Sequence, residues 1–131
     1  MKTGKYIEDG IEYWYLNGKR HRTDGPAIIY HSGSQYWYLN DKLHRTDGPA
    51  VIYPDGTQYW YLNGKYHRTD GPAVTYPNRN QKWYLNDKEV NEDTFNLLLT
   101  CTIEDLGKYF FSPKYKDYKY LIEDRLRRNK V

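Results

Sequence analysis

Apolar and polar positions alternate along this chain in short bursts, and the bursts return every 23 residues. The burst Tyr13-Trp14-Tyr15-Leu16 comes back at residues 36–39 and 59–62, and again at 82–85 with Lys82 in place of the first tyrosine. Trp14, Trp37, Trp60 and Trp83 hold one repeat position, and Leu16, Leu39, Leu62 and Leu85 another, so the chain is a repeat array with units starting near 13, 36, 59 and 82. Period two within a burst puts Tyr36 and Tyr38 on one face of a strand and Trp37 and Leu39 on the other. Residues 1–12 read as the trailing half of a unit, with a first, unpartnered strand near residues 5–7.

Turn chemistry punctuates the strands. Asn17-Gly18 and Asn63-Gly64 are strong two-residue hairpin signals and Asn40-Asp41 and Asn86-Asp87 weaker ones, because both central residues of a type I′ turn need positive φ. A Lys-x-His-Arg return segment follows. Thr-Asp-Gly-Pro then recurs at residues 23–26, 46–49 and 69–72, where Asp is expected to cap the turn, Gly to supply an unusual φ and Pro to fix the exit. Ala50 leads the next strand, Pro54-Asp55-Gly56-Thr57 turns it, and every connection is local. Two principal strands per unit, about 4.8 Å apart, make an elongated antiparallel β-meander that advances roughly 10 Å per unit.

The pattern changes after residue 90. Asn91 is placed to N-cap a helix with Glu92 and Asp93 in its first turn and Phe95, Leu97, Leu98 and Leu99 behind them. A short second helix is expected after Thr102. Ser112-Pro113 opens a longer amphipathic one to about residue 128, with Tyr115, Tyr118, Leu121, Ile122 and Leu126 on one stripe. The expected class is mainly β with an α-helical C-terminal cap: residues 1–90 an array of β-hairpin repeats, and residues 91–131 helices docked on its last strands to stop edge-to-edge growth.

Composition narrows the function classes. Sixteen tyrosines and four tryptophans stand against few aliphatics, so rings lying across a thin sheet must do the burying. The surplus of +3 is too small to predict a nucleic-acid partner, and all of it resides in residues 101–131. The single cysteine, Cys101, forms no internal disulfide and lies beside an apolar helix, where an inert thiol is expected. Neither a signal-peptide core nor a run of eighteen apolar residues is present, which points to the cytoplasm.

At residues 15–21, Tyr-Leu-Asn-Gly-Lys-Arg-His, the unit resembles the MORN repeat, whose period is also about 23 residues and whose pattern runs aromatic-x-Asn-Gly-Lys-x-His-Gly. The resemblance covers about residues 5–90. It departs where Arg22, Arg45 and Arg68 replace the glycine after His, and where the next glycine arrives inside the Thr-Asp-Gly-Pro insert. The chain is therefore similar to a MORN-like variant of the kind found in arrays of bacterial and phage hypothetical proteins. That resemblance implies hairpin geometry, together with scaffolding, protein binding or association with phospholipid headgroups.

Three candidate sites follow from the residues. His21, His44 and His67 each precede an Asp by three, but equivalent positions about 10 Å apart cannot share one ion, so the histidines are expected to hydrogen-bond a turn and no metal or other cofactor is expected. A basic ladder with interleaved tyrosines, including Lys42, Arg45, Lys65 and Arg68 and continuing in Arg125, Arg127 and Arg128 of the basic segment 114–130, has the composition of an anion platform. Asp24, Asp47 and Asp70 beside the arginines argue that much of that charge is paired. The third is the column that varies while its neighbours stay fixed, Arg20, Leu43, Tyr66 and Glu89: either unconstrained or the binding face, with Leu43 and Tyr66 as exposed anchors and Tyr38 and Tyr61 beside them.

No nucleophile with a nearby base, phosphate-cradling loop or zinc-protease motif is present, so no enzymatic activity is expected. The sequence points to an interaction module that occupies the surface of another protein, as an inhibitor or adaptor. For a phage-encoded chain this would be an antagonist of a host enzyme or defence factor, acting in the host cytoplasm. The alternative is an anion binder on nucleic acid or anionic lipid, and the array is expected as a monomer or as a homodimer joined at an exposed strand edge.

Overall fold

A computed structural model describes residues 1–109 together with Pro113, Glu123 and Arg127. The chain divides into two compact units, residues 1–90 and 91–131. In the first, the strands are β1 (Gly4–Glu8), β2 (Ile11–Leu16), β3 (Lys19–Arg20), β4 (Ile28–Ile29), β5 (Gln35–Tyr36), β6 (Tyr38–Leu39), β7 (Lys42–Leu43), β8 (Val51–Ile52), β9 (Gln58–Tyr59), β10 (Tyr61–Leu62), β11 (Lys65–Tyr66), β12 (Val74–Thr75), β13 (Gln81–Leu85) and β14 (Lys88–Val90). All pairings are antiparallel. The main sheet runs β1-β2-β4-β5-β8-β9-β12-β13-β14 and does not close, while β6–β7 and β10–β11 form small hairpins of their own. It is an open meander, mainly β, with helices confined to the C-terminal unit.

The expected single strand over residues 36–39 is broken at its tryptophan. The Trp37 N–H still donates to Ala50 O in the sheet (2.7 Å), but its carbonyl accepts from His44 N–H (3.1 Å) in the return arm. The chain therefore changes partner at this residue, from the neighbouring sheet strand to its own hairpin. Trp14 and Trp60 do the same through Ala27 and His21, and through Ala73 and His67. Each central unit thus contributes four two-residue strands rather than two principal ones.

The hairpin turns follow the sequence closely. Asn17-Gly18, Asn40-Asp41, Asn63-Gly64 and Asn86-Asp87 all have positive φ at both positions, between 47° and 80°. Where Asp replaces Gly, its carboxylate compensates the strain: Asp41 Oδ1 accepts from Arg20 N–H and Asp87 Oδ1 from Tyr66 N–H, both at 2.7 Å. The turns also join the units. Asn40, Asn63 and Asn86 donate their N–H groups to Nδ1 of His21, His44 and His67 at 3.0, 3.0 and 3.1 Å, and the following turn residue donates to the carbonyl of Arg20, Leu43 or Tyr66.

The N-terminal segment copies that junction. Asn17 N–H donates to Thr3 Oγ1 (3.0 Å) and Gly18 N–H to Lys2 O (2.7 Å), so a threonine hydroxyl stands where later units use a histidine ring. The first strand, expected to be unpartnered, pairs along its whole length with β2, because Asp9-Gly10 makes a two-residue turn with φ of 52° and 75°.

Register defines two faces. Directly opposed residues share a face, so Tyr13, Ile28, Tyr36, Val51, Tyr59 and Val74 line one side, and Glu12, Ile29, Gln35, Ile52, Gln58 and Thr75 the other. Ile28, Val51 and Val74 are buried among the tyrosine rings. Ala27, Ala50 and Ala73, one position earlier, are fully buried.

In residues 91–131 the expected start holds: Asn91 caps α1 (Glu92–Thr100) by accepting from Thr94 N–H at 2.7 Å, with Glu92 and Asp93 in its first turn and Phe95 and Leu98 buried. Thr102 Oγ1 accepts from Asp105 N–H at the start of α2 (Ile103–Tyr109). The longer helix expected over residues 112–128 lies outside the described residues.

Two outcomes are expected. Ala50→Leu, which overfills a site with no exposed surface, lowers stability by about 1–3 kcal/mol in a thermal melt. Burial holds His67 below its ordinary value of 6.5, so the unfolded chain takes up that proton first; this contribution to stability is complete above 6.5 and is lost as the pH falls below it. The decline in melting temperature between about pH 7 and pH 5 should accordingly be shallower in His67→Gln than in the native chain.

Candidate functional site

Each face carries a repeated surface feature. On one, tyrosines of successive units pack edge to face: Tyr30 to Tyr36 at 5.3 Å, Tyr36 to Tyr53 at 6.1 Å, Tyr53 to Tyr59 at 5.8 Å and Tyr59 to Tyr76 at 6.4 Å between ring centres. All are half-buried except Tyr30, which is exposed. A second row lies beside them on the hairpins, where Tyr61 stacks on Tyr66 at 4.4 Å and Tyr66 meets Tyr84 at 4.9 Å. Burial, and a bond from its hydroxyl to that of Tyr53 (3.0 Å), hold the Tyr36 phenol above its ordinary range, and burial does the same for Tyr61. Tyr36 and Tyr61 therefore stay neutral at physiological pH, and the rows offer apolar area with hydroxyl tips.

The varying column lies in this second row. Arg20, Leu43, Tyr66 and Glu89 sit directly across a hairpin from Tyr15, Tyr38, Tyr61 and Tyr84. Leu43 and Tyr66, expected to be exposed anchors, are half-buried instead, because the hairpin folds each against its opposed tyrosine. Arg20 is also half-buried, with its guanidinium 4.2 Å from the centre of the Tyr38 ring and its Nε donating to Asp41 Oδ1 at 3.0 Å. Glu89 is exposed.

On the opposite face the arginines are used internally. Arg22, Arg45 and Arg68 lie 4.1, 4.0 and 3.8 Å from the ring centres of Trp14, Trp37 and Trp60. Each Nε donates to Asp24, Asp47 or Asp70 at 2.8, 2.9 and 2.7 Å, and each Nη1 to the carbonyl of Pro26, Pro49 or Pro72. That bonding pulls the three carboxyls below the usual carboxylate range. The lock explains the glycines differently from expectation. Gly25, Gly48 and Gly71 have no positive φ; a Cβ there would meet the Arg guanidinium carbon at 2.9, 2.7 and 2.9 Å, so glycine is needed for close approach.

Successive Thr-Asp-Gly-Pro loops stand as ridges with clefts between them. One cleft, about 600 Å³, has Trp37 and Leu39 between the loops at residues 22–26 and 45–47. The next, about 320 Å³, repeats it one unit later with Trp60 and Leu62. Trp37 and Leu39 therefore share the face that the alternation predicts.

Of the expected anion ladder, Lys42 and Lys65 are exposed beside the hairpin turns, whereas Arg45 and Arg68 are committed to their loops. Arg125 and Arg128 lie outside the described residues, and Arg127 is described without its neighbours. The histidines turn Nδ1 to backbone amides, and among the described residues no group of three His, Cys, Asp or Glu side chains is placed to hold a metal ion. Cys101 is half-buried, and no described helix is long and apolar enough to cross a membrane. Tyr30, Tyr53, Tyr59 and Tyr76, which complete the aromatic row, were not singled out in the sequence, although Tyr30, Tyr53 and Tyr76 recur every 23 residues. Comparison of the chain with family models, with curated proteins and with solved structures finds no match.

The arginine lock makes a specific prediction. Arg45→Leu removes the bonds to Asp47 and Pro49 and the charge over Trp37, and should cost about 1–3 kcal/mol of stability. Gly48→Ala, which displaces the same guanidinium without deleting it, should give a smaller loss and the same change in tryptophan fluorescence.

Proposed function

We propose that this chain is a non-catalytic protein-binding module that acts as an adaptor or inhibitor by laying its tyrosine face on a partner. The observation that carries this is the unbroken row from Tyr30 to Tyr76, flanked by Tyr38, Tyr61 and Tyr66. Contiguous exposed apolar surface on a folded protein marks an interaction site. Tyrosine supplies such surface with few rotatable bonds, and rings already packed against one another lose little further freedom on binding. The varying column would then tune the edge of the footprint: charged at Arg20 and Glu89, apolar at Leu43, aromatic at Tyr66. In its finer form the proposal is a MORN-like module encoded by a phage and antagonising a host enzyme or defence factor in the host cytoplasm, which rests on the resemblance of the repeat unit alone.

Geometry favours this over an anion-binding face. Arg45 and Arg68 have their Nε and Nη1 donors engaged within their own loops, so in the central units the exposed cations of that ladder are Lys42 and Lys65. Tagged protein would be used to capture partners from a lysate of its native cell, with and without nuclease and at low and moderate salt. One protein should be retained stoichiometrically in every arm, with recovery reduced at least about tenfold by Tyr53→Ser combined with Tyr76→Ser and unchanged by Lys42→Glu combined with Lys65→Glu. Circular dichroism would confirm that both variants fold. Collapse of recovery with nuclease or salt, or full retention by the tyrosine variant, contradicts the proposal.

A further inference from the structure

The clefts on the tryptophan face lie away from the tyrosine row and have a chemistry of their own. Their floors are apolar, formed by Trp37 with Leu39 and by Trp60 with Leu62. Their rims are charged and polarised in one direction. The carboxylate side chains of Asp24, Asp47 and Asp70 are 78%, 84% and 75% exposed, while the paired Arg22, Arg45 and Arg68 are only 20%, 22% and 22% exposed. Each pair sums to zero charge, but an approaching ligand meets the negative member first. A ligand with apolar stems and cationic heads satisfies both floor and rim, as extended Lys and Arg side chains do.

Spacing then selects the backbone of that ligand. The clefts repeat once per unit, which in this sheet is two strands or roughly 10 Å. A polyproline-II chain turns once every three residues with a rise near 3.1 Å, so residues i and i+3 face the same way about 9.3 Å apart. A β-strand presents same-side residues about 6.8 Å or 13.6 Å apart, out of step with the clefts. An α-helix, about 10 Å across, would rest on the ridges instead of entering between them.

We infer that the tryptophan face binds a cationic polyproline-II segment of a partner protein, with Lys or Arg at every third position seated in successive clefts and reaching Asp24, Asp47 and Asp70. This is a second surface, independent of the tyrosine row, and a chain carrying both would join two partners. The low conformational entropy of polyproline II suits it to shallow aromatic-lined grooves of this kind.

The test uses the full chain and synthetic peptides, followed by tryptophan fluorescence and calorimetry. Four repeats of Lys-Pro-Pro should bind saturably, and at least about tenfold more tightly than six repeats of Lys-Pro, which have the same length and more charge but the wrong period. Four repeats of Glu-Pro-Pro should not bind. Asp47→Asn, which keeps an oxygen for Arg45, should weaken the Lys-Pro-Pro peptide several-fold while the chain still melts in one cooperative transition. The Tyr53→Ser and Tyr76→Ser double variant should bind that peptide as the native chain does. Absence of saturable binding, equal binding of the Lys-Pro peptide, or loss of binding in the tyrosine variant overturns the inference.

Discussion

The array depends on a backbone amide at the tip of each hairpin finding its acceptor on the preceding unit. A type I′ turn projects its amides outward, where a strand has no partner for them. Here the first is taken by His21, His44 or His67 Nδ1 and the second by the carbonyl two residues earlier in the chain than the residue after that histidine, namely Arg20, Leu43 or Tyr66. Each bond contributes about 1 kcal/mol and forms only when the hairpin meets the preceding unit in one register, so the junction specifies register as well as adding stability. At the first unit Thr3 and Lys2 make the same two bonds, which closes that end without a preceding unit.

Because the hairpin is held by its neighbour, the chain can leave the main sheet at Trp37 and Trp60. That change of partner produces the two surfaces. The residues before it belong to a sheet whose β-branched side chains are buried among tyrosine rings, and those after it to a hairpin that lifts Leu39 or Leu62 beside the indole. The return arm then delivers an arginine onto that indole, and the arginine draws in the Thr-Asp-Gly-Pro loop through Asp and the proline carbonyl. Tyrosine row and tryptophan clefts are thus two products of one local event, repeated with the period of the sequence.

Much of this was legible in the residues. Asn-Gly and Asn-Asp pairs, the Asn91 cap, the alternation of Tyr36 and Trp37, the pairing of Arg with Asp and the turn-binding histidines all follow from short-range chemistry that a sequence displays directly. What was hidden required a neighbour. The break at Trp37 reflects competition between two strands for one carbonyl and one amide, which no local propensity encodes. Gly48 looked like a turn glycine because Thr-Asp-Gly-Pro is turn chemistry, yet its function is to let a guanidinium approach from three residues earlier. Leu43 and Tyr66 looked exposed because their sequence neighbours are charged, but the hairpin turns them against tyrosines. The first strand looked unpartnered because no complete unit precedes it, whereas the two-residue turn at Asp9-Gly10 folds it back onto β2.

If the junction is the unit of construction, removing one repeat should remove one junction and disturb nothing else. The most direct measurement is therefore thermal and denaturant unfolding of a chain from which residues 36–58 are excised, joining Gln35 to Tyr59 in the same context that Gln35 has with Tyr36. Equivalent junctions predict a folded β protein that unfolds in one cooperative transition at a lower midpoint. Loss of cooperative unfolding in that shortened chain would contradict this and show that the repeats are not joined by equivalent junctions.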